Sequence, residues 1–319
     1  GNYRFARESI NKVNERPYTT FVNPLFNAWT YVGEGNYFQA MNALKKLETS
    51  SDTHTVYNIH SGIISEYFDK TEEAEKFYDK VISNDANDVS FRVLQIISNF
   101  FVRIDKKTKA TQLVSRYYGS SNIKEMLGSL SDKIKEGTKS AKPVIKTANE
   151  GVAEVFLEIA LLYKSISGGS DYAHLNMAIS EYFNPENDIA KVAMADIYEE
   201  KFMLKDANRY YDSISKKSEL YYPAQMRKAS NLIEEKKYEQ AINVLKKLNK
   251  NNANNFQLLF NLGDALRINN NHQEAIKYYK EAIDTIFYET EKHWPIYYSL
   301  AISYDKSNQW SRKEPQKSA

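Results

Sequence analysis

The sequence predicts an all-α protein built as a linear array of short helices. Three observations predict it. Small residues recur at a fixed interval: Ala6, Ala40 and Ala74, then Ala173, Ala207, Ala241 and Ala275, with every step inside a run equal to 34 residues. A second residue, usually small, stands twelve positions earlier: Ala28, Gly62, Ala195, Ala229 and Gly263. The 319 residues hold only 11 Gly and 7 Pro against 24 Tyr, so helix breakers are scarce. A constant period of this size is the signature of a repeat architecture.

Taken in order, residues 1–15 read as the second helix of a pair whose first helix lies upstream, so a longer parent chain is expected. Pairs then follow at about 21–49, 54–83, 90–118, 154–182, 188–215, 222–248 and 256–287, and a last first-type helix at 294–307. Four positions after each small residue comes a larger apolar one: Ile10, Leu44, Tyr78, Met177, Tyr211, Leu245 and Tyr279. Ala110, 36 after Ala74, has Val114 in the same place and Ser98 twelve before it. Pro24, Pro223 and Pro295 are expected in first turns of helices, where the missing N–H is tolerated. Turns such as Asn251–Asn255 and Asn269–Asn271 separate helices.

The ruler breaks once. Ala173 follows Ala110 by 63 residues, which predicts an insertion at 120–149 with one short amphipathic helix, Ile123 to Lys135. The expected organisation is therefore an N-terminal array at 1–119, this insertion, a C-terminal array at 150–308, and a frayed or truncated tail at 309–319. In the tail Lys313 stands where Ala is expected and Pro315 breaks a helix.

A helix keeps its smallest side chain at these positions because two helices that cross at roughly 8–10 Å between axes have no room for bulk at the crossing. The small residue lets the backbones approach, and the aromatic one turn later fills the flanking gap. Helices of about 12–15 residues are marginal alone. In a stacked array, each unit is stabilised by its neighbours.

These positions carry a resemblance to the tetratricopeptide repeat family. The unit at 255–283 is most similar, with Leu259, Leu262, Gly263, Leu266, Ala275, Tyr279 and Ala282 in the family's places. The resemblance covers nearly the whole chain except about 120–149. It implies an α-α superhelix, a tetratricopeptide solenoid of about eight stacked antiparallel helix pairs, A and B. The stretches "NPLFNAWTYVGEGNYFQAMNALKKL" and "HWPIYYSLAISYDKSNQW" further resemble an alphaproteobacterial group of long tetratricopeptide proteins of poorly defined role. That likeness implies a bacterial origin and leaves the compartment open between cytoplasm and periplasm.

No catalytic, cofactor or metal site is expected. The five His form no H-E-x-x-H, and the six-residue spacing of His54 and His60 puts them on different sides of a helix. Gly33–Asn36 ("GEGN") lacks the Lys and preceding strand of a phosphate loop. Ser213–Lys216 matches S-x-x-K without its companion motifs. Lys+Arg 43 against Asp+Glu 41 leaves a net charge of +2, which gives no case for nucleic acid. Tyr-Tyr pairs such as 210/211 and 278/279 read as packing rather than as a stacking platform for single strands. Cys is 0, so disulfides and thiolate chemistry are excluded. No run of 18 apolar residues predicts a membrane span.

The resemblance implies that A helices line a concave groove. Carried onto this chain, it places Leu25, Trp29, Ile59, Ile63, Gln95, Asn99, Met226, Phe260, Asp264, Arg267 and Tyr298 there. Chaperone-binding members of the family grip a terminal carboxylate with Lys, Asn and Arg in this groove. That set is absent from these positions, where Arg267 is the one basic residue. The expected groove is apolar with acidic spots, suited to a peptide carrying apolar and basic side chains. The function expected is a non-catalytic scaffold or adaptor for a protein or peptide. Two alternatives stand beside it: the interaction region of a larger enzyme whose catalytic domain is elsewhere, and an array that self-associates through its open ends.

Overall fold

The computed structural model describes residues 2–12, 17–48, 53–83, 89–117, 124–137, 142–250 and 254–307. Among them every regular element is helical. In order these are α1 (Tyr3–Ile10), α2 (Pro17–Gly33), α3 (Tyr37–Leu44), α4 (His54–Tyr67), α5 (Thr71–Ser83), α6 (Phe91–Arg103), α7 (Lys107–Tyr117), α8 (Lys124–Glu136), α9 (Ala148–Lys164), α10 (Ser170–Phe183), α11 (Asp188–Glu200), α12 (Leu204–Ser213), α13 (Tyr221–Glu234), α14 (Tyr238–Asn249), α15 (Phe256–Ile268), α16 (His272–Asp284) and α17 (Trp294–Lys306). The fold is all-α, as the period predicts. The expected tail at 309–319 lies outside the described residues.

Local chemistry sets the helix starts. Asn36, Ser90, Thr147, Asn255 and Asn271 each accept a backbone N–H three residues on, from Gln39, Val93, Glu150, Leu258 and Glu274. These are N-caps that satisfy donors the helix leaves open. The A-to-B turns share a second device. Gly35, Asp69, Asp105, Phe202, Lys236 and Asn270 all adopt the left-handed backbone, so the repeat is written in φ as well as in side-chain size. Only one of these six is Gly, which is why composition did not reveal it. Pro24 departs from expectation: α2 begins at Pro17, so Pro24 lies inside the helix rather than in its first turn.

The residues of the 34-residue ruler lie at the helix crossings. Ala40, Ala74, Ala110, Ala173, Ala207, Ala241 and Ala275 are fully buried, as are Ala28 and Ala195. A Cβ added to Gly62 would sit 2.5 Å from the Tyr78 ring, and one added to Gly263 would sit 2.5 Å from the Tyr279 ring. The aromatic of helix B therefore rests on the bare backbone of helix A, which is why the two spacings travel together.

The described residues form two compact units. The first is Gly1–Ile197 with Ser218–Leu220, and the second is Tyr198–Lys217 with the chain from Tyr221 onward. The division falls within α11. The reason is packing: α8 lies on α6 and α7, and α9 returns to pack on α2 as well as on its own partner α10. The expected insertion helix exists as α8, and Leu127, Leu130 and Ile134 on it are buried. In the first unit α2/α3, α4/α5, α6/α7 and α9/α10 are paired; in the second, α13/α14 and α15/α16 are, with α17 against α16. In the second unit Leu245, Leu258, Leu262, Ala265, Tyr279 and Ile296 share one core.

Candidate functional site

The faces that matter are those of the A helices. On them one polar cluster recurs three times. In α4, Glu66 accepts the Tyr78 hydroxyl at 2.7 Å and pairs with Arg103 at 3.0 Å. In α11, Glu199 accepts the Tyr211 hydroxyl at 2.9 Å and Asn231 at 2.7 Å, and it pairs with Arg227. In α15, Asp264 accepts the Tyr279 hydroxyl at 2.7 Å, Arg267 Nη2 at 3.0 Å and Ser299 at 3.3 Å. The buried ring of helix B thus ends on a carboxylate of helix A, and an arginine pairs with that carboxylate, through the other oxygen in Glu66 and Glu199 and through the same oxygen, Oδ1, in Asp264. Sequence reasoning missed this cluster, although Glu66 and Glu199 both precede their Tyr by twelve residues.

Burial differs between the copies. Glu66 is almost fully enclosed, and desolvation raises its pKa against the pull of Arg103 and the Tyr78 hydroxyl. Burial likewise pushes the Tyr78 phenol well up, and the Glu66 charge adds to it. Tyr279 moves in the same direction from burial and Asp264, but Asp264 is 27% exposed.

The A-helix face of the first unit is covered. Leu25, Trp29, Ile59 and Ile63, all assigned to a groove from sequence, are buried inside this unit. Trp29 stacks over Gly151 of α9, where any Cβ would run into the ring. The Trp29 indole N–H donates to His60 Nδ1 at 3.0 Å, and His60 Nε2 lies 3.1 Å from Glu158 of α9. An indole only donates, so Nδ1 accepts and the proton of the neutral ring sits on Nε2, directed at Glu158. Arg92 of α6 binds Glu154 of α9 with both forks, Nε at 2.8 Å. Phe26 and Phe156 meet edge to face at 5.2 Å. Gln95 is half-buried and donates to Glu219, which also takes Lys133 Nζ at 2.6 Å. Burial alone would raise the Glu219 carboxyl, but Lys133 and these hydrogen bonds hold it below its ordinary value. Asn99 is half-buried, and its Oδ1 has no hydrogen-bond partner among the described residues.

In the second unit, Met226 is buried, whereas Phe260, Asp264 and Arg267 are half-buried and Tyr298 is 60% exposed. Phe260 stacks on Phe256 at 6.0 Å, and Trp294, itself 62% exposed, meets Tyr298 at 5.8 Å. A cavity of about 250 Å³ opens between α13 and α15, lined by Ser230, Ile233, Asn261, Asp264 and Ile268. The acidic spots expected here are already paired within the protein, Asp264 with Arg267 and Glu199 with Arg227. What this face offers is aromatic surface around a self-neutralised polar centre.

Neither His54 nor His60 joins a ligand set: His54 contacts Asn58, and among the described residues no three His, Asp or Glu are placed to hold a metal ion. No helix among the described residues is long and apolar enough to cross a membrane.

Residues 256–285, which form α15 and α16, match the family model for the tetratricopeptide repeat. No curated protein matches the chain. Among solved structures, the chain is similar to the APC/C hetero-tetramer Cut9-Hcn1 at 13% identity, over 97% of this chain and 75% of that one, with a TM-score of 0.37. It is also similar to a tetratricopeptide repeat protein from Parabacteroides merdae at 12% identity, over 89% of this chain and 98% of that one, with a TM-score of 0.34.

Proposed function

We propose that the protein is a non-catalytic scaffold that holds a protein or peptide on the A-helix face of its second unit, α13, α15 and α17. One observation carries the reading. Trp294, Tyr297 and Tyr298 are exposed on α17, and Ser299 of the same helix donates to Asp264, which lines the α13–α15 cavity. Large aromatics left in water are among the residue types that dominate binding energy at interfaces. Asp264 and Arg267 neutralise each other, so the partner surface that fits is apolar, with hydrogen-bonding groups for Ser230 and Asn261. A net-basic partner is not required. The likeness to long alphaproteobacterial tetratricopeptide proteins supports a bacterial origin, which the sequence of the parent gene tests.

The test is affinity capture of partners from the source organism with the wild-type chain and three variants. Trp294→Ala and Tyr298→Ala are expected to lose the captured protein, whereas Tyr182→Ala, more exposed than either but in the first unit, retains it. Retention by all three variants sinks the assignment of the face. A change in mass by light scattering with concentration, abolished by Trp294→Ala, instead identifies a second copy of the chain as the occupant.

A further inference from the structure

We infer that the A-helix face of the first unit is a helix-binding seat whose ligand, α9, is held in cis. This is separate from the face proposed above. The contacts of α9 follow a helical code. Gly151, Glu154 and Glu158 stand at i, i+3 and i+7 and so share one side of the helix. Each meets a different A helix: Gly151 meets Trp29 of α2, Glu154 meets Arg92 of α6, and Glu158 meets His60 of α4.

The chemistry of these contacts is that of recognition more than of plain core. An apolar core would accept many helices in several registers. Here the seat presents a tryptophan that tolerates no side chain opposite it, a guanidinium that must meet a carboxylate, and an imidazole whose Nε2–H needs an acceptor. The Arg92 and Glu154 side chains are 9% and 2% exposed. A buried ion pair adds little over apolar packing when matched, but it penalises a mismatched partner heavily. Asn187 also donates to Glu154 at 3.3 Å, closing the carboxylate from a third side. The seat therefore reads a helix with a small residue followed by Glu at the third and seventh positions. While α9 fills it, the seat is closed to any partner helix carrying that pattern. The contact is autoinhibitory for this face.

A synthetic peptide of residues 146–165 tests this on the full chain. The Glu154→Lys/Glu158→Lys double variant places cations against Arg92 and beside His60 and so expels α9. The native peptide is expected to bind that variant about tenfold tighter than it binds the wild-type chain. A peptide carrying Gly151→Leu is expected to bind neither. Equal binding to wild type and variant, or equal binding of the two peptides, overturns the inference. Should the double variant fail to fold, as judged by circular dichroism, hydrogen exchange on the wild-type chain decides. Amides of α9 are expected to exchange about tenfold faster than those of α4 and α6, through local opening. Exchange of α9 in step with α4 makes it inseparable core and overturns the inference.

Discussion

Helices α2, α4 and α6 carry the same register positions as α13, α15 and α17, yet the two faces end differently. On the first, Trp29 is fully buried beneath Gly151. On the second, Tyr298 stands 60% exposed beside Trp294. The same kind of residue, a large aromatic on an A helix, is core in one unit and surface in the other. The repeat positions do not decide this. It is decided by whether another part of the chain comes back to cover the face, and among the described residues one does so in the first unit, through α9. The recurring carboxylate–tyrosine–arginine cluster shows the same contrast: enclosed around Glu66, open to water around Asp264.

The comparison can be broken most directly at its aromatics. Trp29→Ala removes a buried ring and the donor to His60, and a loss of about 3–5 kcal/mol is expected in urea denaturation. Tyr298→Ala is expected to stay within about 0.5 kcal/mol. Similar losses at both positions erase the distinction between a filled and an open face.

The crossing rule is common to both units, and Ala241→Leu challenges it in the second. Ala241 is fully buried, so overpacking is expected to cost about 1–3 kcal/mol. A thermal melt that does not move rejects the role given to the small residues.

The polar cluster sharpens the contrast further. Tyr78→Phe leaves the Glu66 carboxylate buried without its hydroxyl donor, an expected loss of about 1–3 kcal/mol. Tyr279→Phe leaves Asp264 with Arg267, Ser299 and access to water, and about 0.5–1 kcal/mol is expected. A larger loss at Tyr279 than at Tyr78, in the same denaturation series, reverses the ranking of the two faces.

The smallest effect concerns the turns. Phe202 holds φ at 56° with its side chain 81% exposed. Phe202→Gly relieves left-handed strain without uncovering any core, and a gain of about 0.5 kcal/mol is expected, because the freer unfolded chain offsets part of the relief. A fall in melting temperature assigns Phe202 a packing role that its exposure does not indicate.

Much of the fold was legible because it is local and periodic. The 34-residue steps and the fit of a small residue of one helix against the aromatic of the next involve residues close in the chain or one unit apart. The short helix expected at 123–135 is α8 at 124–136. Pro24 was misplaced because the helix start depends on Pro17, seven residues earlier and outside the repeat ruler. The candidate site was less legible. Trp29, Ile59 and Gln95 could be placed on an A-helix face, but Glu154 meets Arg92 across 62 residues and Glu158 meets His60 across 98, and no period links positions that far apart. The acidic spots were visible as Glu and Asp, but their pairing with Arg227 and Arg267 was not.

By itself, then, the sequence determined that the chain is all-α, where most helices begin, and which small and aromatic residues meet within a pair. These follow from short-range sterics and from the burial of one helical stripe, and both are written in neighbouring residues. Only the tertiary structure decided that α9 covers the first unit's A-helix face, that the units divide within α11, and that Trp294 and Tyr298 stay in water. Those outcomes depend on where a helix lands after a long connection. That is settled by the total packing and ion pairing of many distant residues, for which local spacing holds no record.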